Sequence, residues 1–368
     1  MKFETYKMEN ALEYIIDYRG KTPKKSNTGI ITLSAKSVRN GYIDYSQCYY
    51  ISNEEYQKFM VRGFPRIGDI LLTTEAPLGV TARLDRDDVA LAQRLITIRG
   101  KDGVLDTDYL YYYLKSSVGQ NKLHEKESGT TVTGIKQAEF RKIMISVPNF
   151  KIQKKISSVL NALDEKITLN MQINDNLLQQ ARAIYNNMFI TCASPTWEKG
   201  HLSDFVTVKY GKDHKKLANG KIPVYGSGGI MRYAERPIYT RESVLIPRKG
   251  TLNNVIYVSE PFWSVDTMFY TEMLRPNVAK FIYHFISGKD LASLNTGSAV
   301  PSMTTDILNK MELSIPDDDS LSIFEETVAP MYKSMDGNRK QSKKLAEMRD
   351  ALLPRLMSGE LNVSGIDI

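Results

Sequence analysis

Cysteine, tryptophan and histidine are scarce in this chain of 368 residues, which has two, two and four of them. The two cysteines lie far apart in the sequence and form no Cys-x-x-Cys pair, so neither a disulfide nor a cysteine zinc site is expected. The histidines lack metal-ligand spacing. They are His124, His201, His214 and His284. We therefore read no histidine or cysteine as a metal ligand.

Long hydrophobic runs are also missing. No apolar stretch reaches the length needed to span a membrane, and the polar start Met-Lys-Phe-Glu-Thr is unlike a signal peptide. These features predict a cytoplasmic protein without a membrane partner.

The remaining composition is that of a soluble globular protein. Hydrophobic residues make up 42% and charged residues 25% of the sequence, and its length favours two or more domains. The net charge of +7 favours a polyanionic partner, although charge alone is weak evidence.

Two internal matches show that the sequence contains a duplication. The segment 20–31 recurs as 211–222 with six of twelve residues identical, including the frame Gly-Lys-x-x-Lys-Lys. The segment 129–189 aligns without a gap on 297–357, with about eight of 61 residues identical but with apolar positions matched throughout. A repeat this long indicates duplicated domains, because each copy can form its own core.

Each copy ends in a pattern typical of a long helix. From Ile152 to Met188, apolar residues recur in alternating steps of four and three without Gly or Pro, which predicts a coiled-coil helix of roughly 55 Å. The first seam includes Ile156, Leu163, Asn170, Leu177 and Ile184, and the second includes Phe324, Met331, Asn338, Leu345 and Leu352.

Two features of these helices leave alternatives. The seam asparagines either fix register and partner or lie in a solvated stretch. Pro330 and Pro354 either kink the second helix or begin a new one. Because a globular part separates the two seams, we expect them to pack antiparallel.

The predicted fold class is α+β, with two mixed α/β globular domains separated by two long helices that pack as an antiparallel coiled coil with an approximate two-fold repeat. The domain boundaries are predicted at 1–148, 149–194, 195–316 and 317–368. Strands are expected at Ile30–Leu33, Asp69–Thr73, Leu95–Ile98 and Ile143–Val147, and a helix at Asp108–Ser117.

Short elements within this pattern resemble a known family. They are Tyr225-Gly-Ser-Gly-Gly229, Arg248-Lys-Gly250, Phe262-Trp263-x-x-Asp266, Gly68-Asp-Ile-Leu71, Gln93-Arg94, the strand ending in Pro148 before Gln153, and the tail from Arg349 to Glu360. In this order and twice over, they resemble the DNA-specificity subunit of type I restriction-modification systems. The second copy has Leu321 where the first has Gln153, so a shared role for that glutamine is doubtful.

The resemblance implies a non-catalytic subunit that binds double-stranded DNA at a bipartite sequence. Each globular domain would be a target-recognition domain for one half-site, while the helices would set the spacer and dock two methyltransferase subunits. S-adenosylmethionine would be bound by those subunits, and ATP with Mg²⁺ by a motor-nuclease subunit, so this chain would hold no cofactor. The sequence contains neither an Asn/Asp-Pro-Pro-Tyr/Phe methylation motif nor a convincing metal or nuclease cluster.

Candidate DNA-phosphate ligands lie in turn-prone segments of both copies. Lysine contacts phosphate as a point charge without sequence preference, and a Gly-Thr-Thr turn can offer hydroxyl and backbone N–H groups. The alternative is a solvated loop or a simple turn. The candidates are Lys21, Lys24, Lys25, Thr130, Thr131, Lys212, Lys215 and Lys216. The Gly129–Gly134 turn is no nucleotide-binding loop, because Ile135 replaces the required lysine.

Candidate base-reading residues are those that can bond bidentately to a base edge. Arginine matches guanine, and asparagine matches adenine. The candidates are Arg39, Asn40, Arg232, Arg248, Asn253 and Asn254, each of which has a structural role as its alternative.

Two other functions compete with this interpretation. A self-targeting methyltransferase would need a cofactor loop and a Pro-Pro motif, and the sequence has neither. A coiled-coil scaffold that binds only proteins would lack the steep salt dependence of DNA binding.

Overall fold

The computed structural model describes residues 2–129, 133–294 and 302–365, and the chain divides into two compact units. Unit 1 contains residues 1–169 and 340–368, and unit 2 contains residues 170–339. Unit 1 is therefore built from two separate stretches of the chain.

Unit 1 consists of short strands and helices followed by the start of a long helix. Its strands are β1 (Phe3–Lys7), β2 (Leu12–Asp17), β3 (Lys25–Ser26), β4 (Ile30–Leu33), β5 (Val38–Arg39), β6 (Tyr42–Ile43), β7 (Tyr49–Ile51), β8 (Ile70–Thr73), β9 (Thr81–Arg83), β10 (Val89–Leu91), β11 (Leu95–Gly100) and β12 (Met144–Pro148). Its helices are α1 (Met8–Ala11), α2 (Asn53–Phe59), α3 (Thr107–Lys115), α4 (Ser117–His124), α5 (Gln137–Arg141) and the first part of α6 (Phe150–Asn186).

Unit 2 has a similar content. Its strands are β13 (Lys199–His201), β14 (Val206–Tyr210), β15 (Asn219–Gly226), β16 (Gly229–Ala234), β17 (Ser243–Pro247), β18 (Ile256–Val258), β19 (Trp263–Ser264), β20 (Met268–Met273) and β21 (Glu312–Ser314). Its helices are the end of α6, a π-helical turn at Asn187–Thr191, α7 (Ala279–Ser287), α8 (Thr305–Asn309) and the first part of α9 (Asp318–Met357).

The two units share a strand arrangement. Unit 1 has an antiparallel sheet in the order β2-β11-β8-β9, and unit 2 has its equivalent in the order β14-β20-β17-β18. In each unit, a separate antiparallel pair joins the first strand to the strand that precedes the long helix. This pair is β1-β12 in unit 1 and β13-β21 in unit 2. This correspondence confirms that the sequence repeat is a duplication of fold.

The second sheets differ between the units. Unit 1 has a four-stranded sheet in the order β10-β4-β7-β3 and a β5-β6 hairpin, whereas unit 2 has a three-stranded sheet in the order β16-β15-β19. Helix α2 also lies in the part of unit 1 that precedes β8. The two matched segments of the first copy are separated by the 97 residues 32–128, and those of the second by the 74 residues 223–296, so the first copy is longer by 23 residues. These extra residues belong largely to the variable sheet and to α2.

The predicted regular elements are present. Strands β4, β8, β11 and β12 and helix α3 lie where the sequence places them, within one or two residues at each end. Each strand is short and bounded by turns. Strands β8 and β11 have buried side chains on both faces. The mixed α/β fold class with a duplicated domain and long helices is confirmed.

The long helices contribute to the core of each unit. In unit 1, Ile156 and Leu160 of α6 belong to the same apolar cluster as Leu356 and Met357 of α9. In unit 2, Ala181 and Tyr185 of α6 belong to a cluster with residues of α9 such as Phe324. Each unit thus requires both helices to complete its core.

Helix α9 is one continuous helix from Asp318 to Met357. Neither Pro330 nor Pro354 begins a new helix, and both prolines are exposed. A proline inside a helix removes one backbone donor, and exposure lets water satisfy the acceptor that this frees.

Candidate nucleic-acid interface

The six candidate lysines lie in the loops that follow equivalent strands. The first lysine loop (Lys21, Lys24, Lys25) follows β2 and ends at the first residue of β3, and the second lysine loop (Lys212, Lys215, Lys216) follows β14. All six are exposed, and in the described parts of the chain no acidic oxygen lies within 4.0 Å of their ammonium groups. The two loops therefore present exposed ammonium groups to solvent, and the second loop also contains the carboxylate of Asp213.

The matching glycines of these loops have different structural roles. Gly20 has a φ of +80°, and a Cβ there would meet no atom within 4 Å. A Cβ at Gly211 would collide with the carbonyl oxygen of Val265. The backbone conformation thus favours glycine at the first position, and close packing requires it at the second.

Both units build the same backbone junction where a central strand ends. In unit 1, the N–H of Thr74 donates to the carbonyl of Arg94 at 3.1 Å, and the N–H of Ile135 donates to the carbonyl of Thr74 at 2.9 Å. The candidates Thr130 and Thr131, which precede this junction, lie outside the described residues.

Unit 2 repeats the junction at Arg248. The N–H of Arg248 donates to the carbonyl of Thr267 at 2.8 Å, and the N–H of Met303 donates to the carbonyl of Arg248 at 2.9 Å. The guanidinium of Arg248 lies 5.2 Å from the ring centre of Tyr210, and its Nη1 donates to the carbonyl of Asp266 at 3.2 Å. Arg248 is half-buried and Tyr210 is 50% exposed, so this pair lies at the surface.

The three other base-reading candidates in unit 2 form hydrogen bonds within the unit. Asn253 donates to the carboxylate of Asp290 at 3.0 Å and accepts the N–H of Ala292 at 3.0 Å. Asn254 donates to the carbonyl of Ser227 at 2.7 Å, and Arg232 donates to that of Leu217 at 2.7 Å. Each of these side chains therefore stabilises a loop.

The two candidates in unit 1 lie around the β5-β6 turn. Arg39 is half-buried and its Nη2 lies 3.5 Å from the carboxylate of Asp44. Asn40 is exposed and lines a groove with Lys115, Gln120 and Arg349. None of the three lysines of the first lysine loop lines this groove.

Comparison with known proteins identifies the duplicated fold. The family model of the type I restriction modification DNA specificity domain matches residues 4–179 and again residues 195–321. These two matches cover most of the chain. The chain belongs to this family.

Several members of the specificity-domain family are similar along most of their length. The type I restriction enzyme MjaIX specificity subunit of Methanocaldococcus jannaschii is 26% identical over 356 residues, which cover 85% of this chain and 82% of that protein. The HindI specificity subunit of Haemophilus influenzae is 20% identical over 386 residues, covering 75% and 82%. The crystal structure of the type I restriction-modification S subunit from M. genitalium has a TM-score of 0.61 at 17% identity and covers 96% of each chain, which shows a shared fold.

In this specificity-domain protein, the seam asparagines of unit 2 form a hydrogen-bonded cluster. Asn338 donates to the side-chain oxygen of Asn174 at 2.9 Å, and Asn174 donates to the carbonyl of Met335 at 3.1 Å. Asn170 is 1% exposed and donates to the carbonyl of Asn338 at 3.4 Å. Asn170 bonds to Asn338, and Asn174, one turn later on α6, bonds to Met335, which is earlier on α9. The two helices therefore run antiparallel here. The other named seam positions of unit 2 are all buried or half-buried: Leu177, Ile184, Phe324 and Met331.

The seam in unit 1 contains an ion pair. Arg349 of α9 donates to Asp164 of α6 at 2.6 Å, and the hydroxyl of Tyr112 donates to the second oxygen of Asp164 at 2.8 Å. Burial raises the pKa of Tyr112 well above its ordinary value, so the phenol stays a donor. The other named seam positions of this unit are buried or half-buried: Ile156, Leu163, Leu345 and Leu352.

Unit 2 places a histidine and a tyrosine at the matching positions. His284 of α7 is 2% exposed, and its Nε2 lies 2.9 Å from the hydroxyl of Tyr332 on α9. Burial, and then the charge of Arg182, lowers the pKa of His284 to about 4. Both units thus use a buried polar contact to join a domain helix to a long helix.

Gln153 holds the start of α6 against the globular part of unit 1. It is 1% exposed, accepts the N–H of Asp106 at 2.8 Å, and donates to the carbonyls of Val104 and Pro148 at 2.9 and 2.8 Å. Its counterpart Leu321 is 1% exposed and lies in the apolar cluster of unit 2. The two units therefore do not share the role of this glutamine.

Sequence analysis missed an arginine-lined groove in unit 1. Arg19, Arg62 and Lys136 line it together with Asp17 and Gln137. These residues come from three distant parts of the sequence, and none stands in a pattern that the second copy repeats. Only the fold brings them together.

The described residues include neither a metal-binding cluster nor a helix able to span a membrane. No group of three or more His, Cys, Asp or Glu side chains there is placed to hold a metal ion. Among the described helices, none combines the length and apolar character needed to cross a membrane.

Proposed function

We propose that this chain is the DNA-reading, non-catalytic subunit of a type I restriction-modification complex. Unit 1 reads one half of a bipartite asymmetric DNA sequence and unit 2 reads the other. The observation that carries this proposal is the duplicated strand arrangement, in which equivalent central sheets support different second sheets. Family membership supports the same conclusion.

The shared and variable parts suggest a division of labour. The exposed lysine loops follow equivalent strands and suit phosphate contacts, which position a protein without reading sequence. The second sheets and their turns differ between the units, as residues that read different half-sites would. Of the named base-reading candidates, Arg248 is the strongest, because it lies beside the exposed Tyr210 where the central strand β17 ends and donates only one hydrogen bond to a carbonyl oxygen.

The long helices are the proposed docking site for two methyltransferase subunits and set the spacer between half-sites. Both α6 and α9 contain residues of both units. Each unit exposes apolar side chains of α6, namely Leu169 (50% exposed) in unit 1 and Met171 (61% exposed) in unit 2, and such exposure favours a protein partner. S-adenosylmethionine and ATP with Mg²⁺ are assigned to the methyltransferase and motor-nuclease partners. The complex acts in the cytoplasm.

Adenine-methylation mapping in the host genome provides the first test. It is expected to reveal one split motif, and deletion of the gene for this chain is expected to abolish methylation at that motif. The purified chain with its methyltransferase subunits is then titrated with a duplex that carries the motif. Matched duplexes have the first half scrambled, the second half scrambled, or one base pair added to the spacer.

Each changed duplex is expected to bind more weakly than the intact motif. One added base pair shifts the half-sites by about 3.4 Å and rotates them by roughly 35°, which a fixed protein spacing does not accommodate. Affinity is also expected to fall steeply with salt, because phosphate contacts release counterions. A complex that shows no preference for any split sequence and no salt dependence would contradict the proposal and favour a protein-binding scaffold.

A further inference from the structure

The arginine-lined groove of unit 1 has a volume of about 590 Å³ and opens to solvent. Its charged lining residues are Arg19, Arg62, Lys136 and Asp17, so cations outnumber the single acid. Among residues 2–129, 133–294 and 302–365, no acidic oxygen lies within 4.0 Å of the side-chain nitrogens of the three cations. The groove is therefore positively charged.

Neutral carbonyl oxygens, and not carboxylates, orient its two arginines. Nη1 of Arg62 donates to the carbonyls of Asp17 at 2.7 Å and Arg19 at 3.3 Å. Nη2 of Arg19 donates to the carbonyl of Ile135 at 2.8 Å. A guanidinium has five N–H donors, so each arginine keeps several for a ligand while its charge stays unpaired.

A buried tyrosine fixes the loop that carries Arg62. Tyr18 is fully buried, and its hydroxyl accepts the N–H of Arg62 at 2.8 Å and donates to the carbonyl of Gly63 at 3.2 Å. Its ring stacks on Phe59 with centroids 4.8 Å apart and lies 5.8 Å from the guanidinium of Arg62. The backbone of Arg62 is therefore held before any ligand arrives, which reduces the entropy lost on binding.

The groove is continuous along the chain with the first lysine loop. Arg19 lies two residues before Lys21, and the N–H of Lys21 donates to the carbonyl of Tyr18 at 3.1 Å in the same turn. A row of cations along one loop matches the evenly spaced charges of a nucleic-acid backbone. Planar guanidinium groups also suit phosphate, which they contact with two parallel hydrogen bonds.

We infer that Arg19 and Arg62 form a DNA-phosphate site in unit 1, positioned by Tyr18. This inference rests on the proposed function and adds to it a phosphate contact beyond the lysine loops. The site acts on affinity and not on sequence choice, because a phosphate contact carries no base information.

The test compares two double variants of the full chain, purified with its methyltransferase subunits. R19Q/R62Q removes the proposed contact. K58Q/R86Q is the charge-matched control, because the exposed Lys58 and the half-buried Arg86 are cations of unit 1 that pair with Glu54 and Asp88. Binding to the split motif and to a scrambled duplex is measured by fluorescence anisotropy from 50 to 300 mM salt.

Loss of one phosphate contact is expected to weaken binding about five-fold near 150 mM salt and to lower the salt slope by about 1. Both duplexes are expected to lose affinity by the same factor. R19K/R62K keeps both charges and is expected to retain the slope of the wild type. Thermal unfolding followed by circular dichroism verifies that the variants are folded.

Three results would overturn the inference. One is R19Q/R62Q with the affinity and slope of the control. Another is equal slopes for the glutamine and lysine variants. The third is an R19Q/R62Q variant that keeps the salt slope of the wild type but no longer binds the methyltransferase subunits. That result would mean that the groove binds an acidic protein segment. If the wild-type complex itself shows no salt-dependent DNA preference, the proposed function fails, which is a separate outcome.

Discussion

Protonation of His284 is expected to destabilise unit 2 as the pH falls. Its pKa is lowered from 6.5 to about 4 in the folded protein, chiefly by burial and then by Arg182. The native state therefore binds fewer protons than the unfolded state between these values. The stability that neutral His284 contributes is complete above pH 6.5 and is lost as the pH falls toward 4.

The size of this loss follows from the two pKa values. Linkage gives about 2 kcal/mol less stability at pH 4.5 than at pH 7 from this one group. His284→Gln removes the titration and keeps a polar partner for the hydroxyl of Tyr332, 2.9 Å away in the native contact. Carboxylates titrate in the same range, but they do so equally in both proteins, so the difference between the proteins isolates His284.

Tryptophan fluorescence provides a suitable assay. The two tryptophans of the chain are Trp197 and Trp263, and both belong to unit 2, so urea unfolding followed by their emission reports on this unit. The free energy of unfolding is measured at pH 7, 5.5 and 4.5 for the wild type and for His284→Gln. The wild type is expected to lose about 2 kcal/mol more than the variant from pH 7 to pH 4.5. Equal losses would refute the reasoning.

Two matched pairs test how the copies differ. Gln153→Leu removes a buried amide that bonds to three backbone groups of unit 1, and Leu321→Gln buries an amide in an apolar cluster. Each substitution is therefore expected to lower the free energy of unfolding by about 3 kcal/mol in denaturant unfolding. If either swap left stability within 0.5 kcal/mol, roughly the range for neutral surface changes, the contacts would be misassigned. Gly20→Asn is expected to cost less than about 1 kcal/mol because asparagine tolerates positive φ. Gly211→Asn is expected to lower the melting temperature sharply through its collision with Val265, and a mild effect there would contradict the packing argument.

The sequence predicts the parts of this protein whose physics is local and periodic. The seam around Leu177 predicts a long helix because apolar residues repeat at helical spacing, and α6 extends through this region. Strand β8 and the turns around it follow in the same way from a short apolar run bounded by Gly and Pro.

The features that the sequence does not predict depend on contacts between residues that are far apart in the sequence. Nothing near Asn253 indicates that its amide is bonded to Asp290, 37 residues away. Likewise, nothing around Arg62 reveals that its guanidinium bonds to carbonyls 43 to 45 residues earlier. Candidate residues chosen by side-chain type alone therefore include several that stabilise loops and omit others that the fold places at a charged surface.

Unit 1 is built from two separate stretches of the chain, and this has a consequence for folding during protein synthesis. Residues 170–339 form a unit that is complete in one stretch, whereas the core of unit 1 includes Leu356, Met357 and Val363 near the end of the chain. On the ribosome, unit 2 can close its core before the cluster that contains Ile156 and Leu160 has all its members. The first unit to be translated is thus the last to fold completely, and a chain that ends between residues 340 and 355 has only one finished unit.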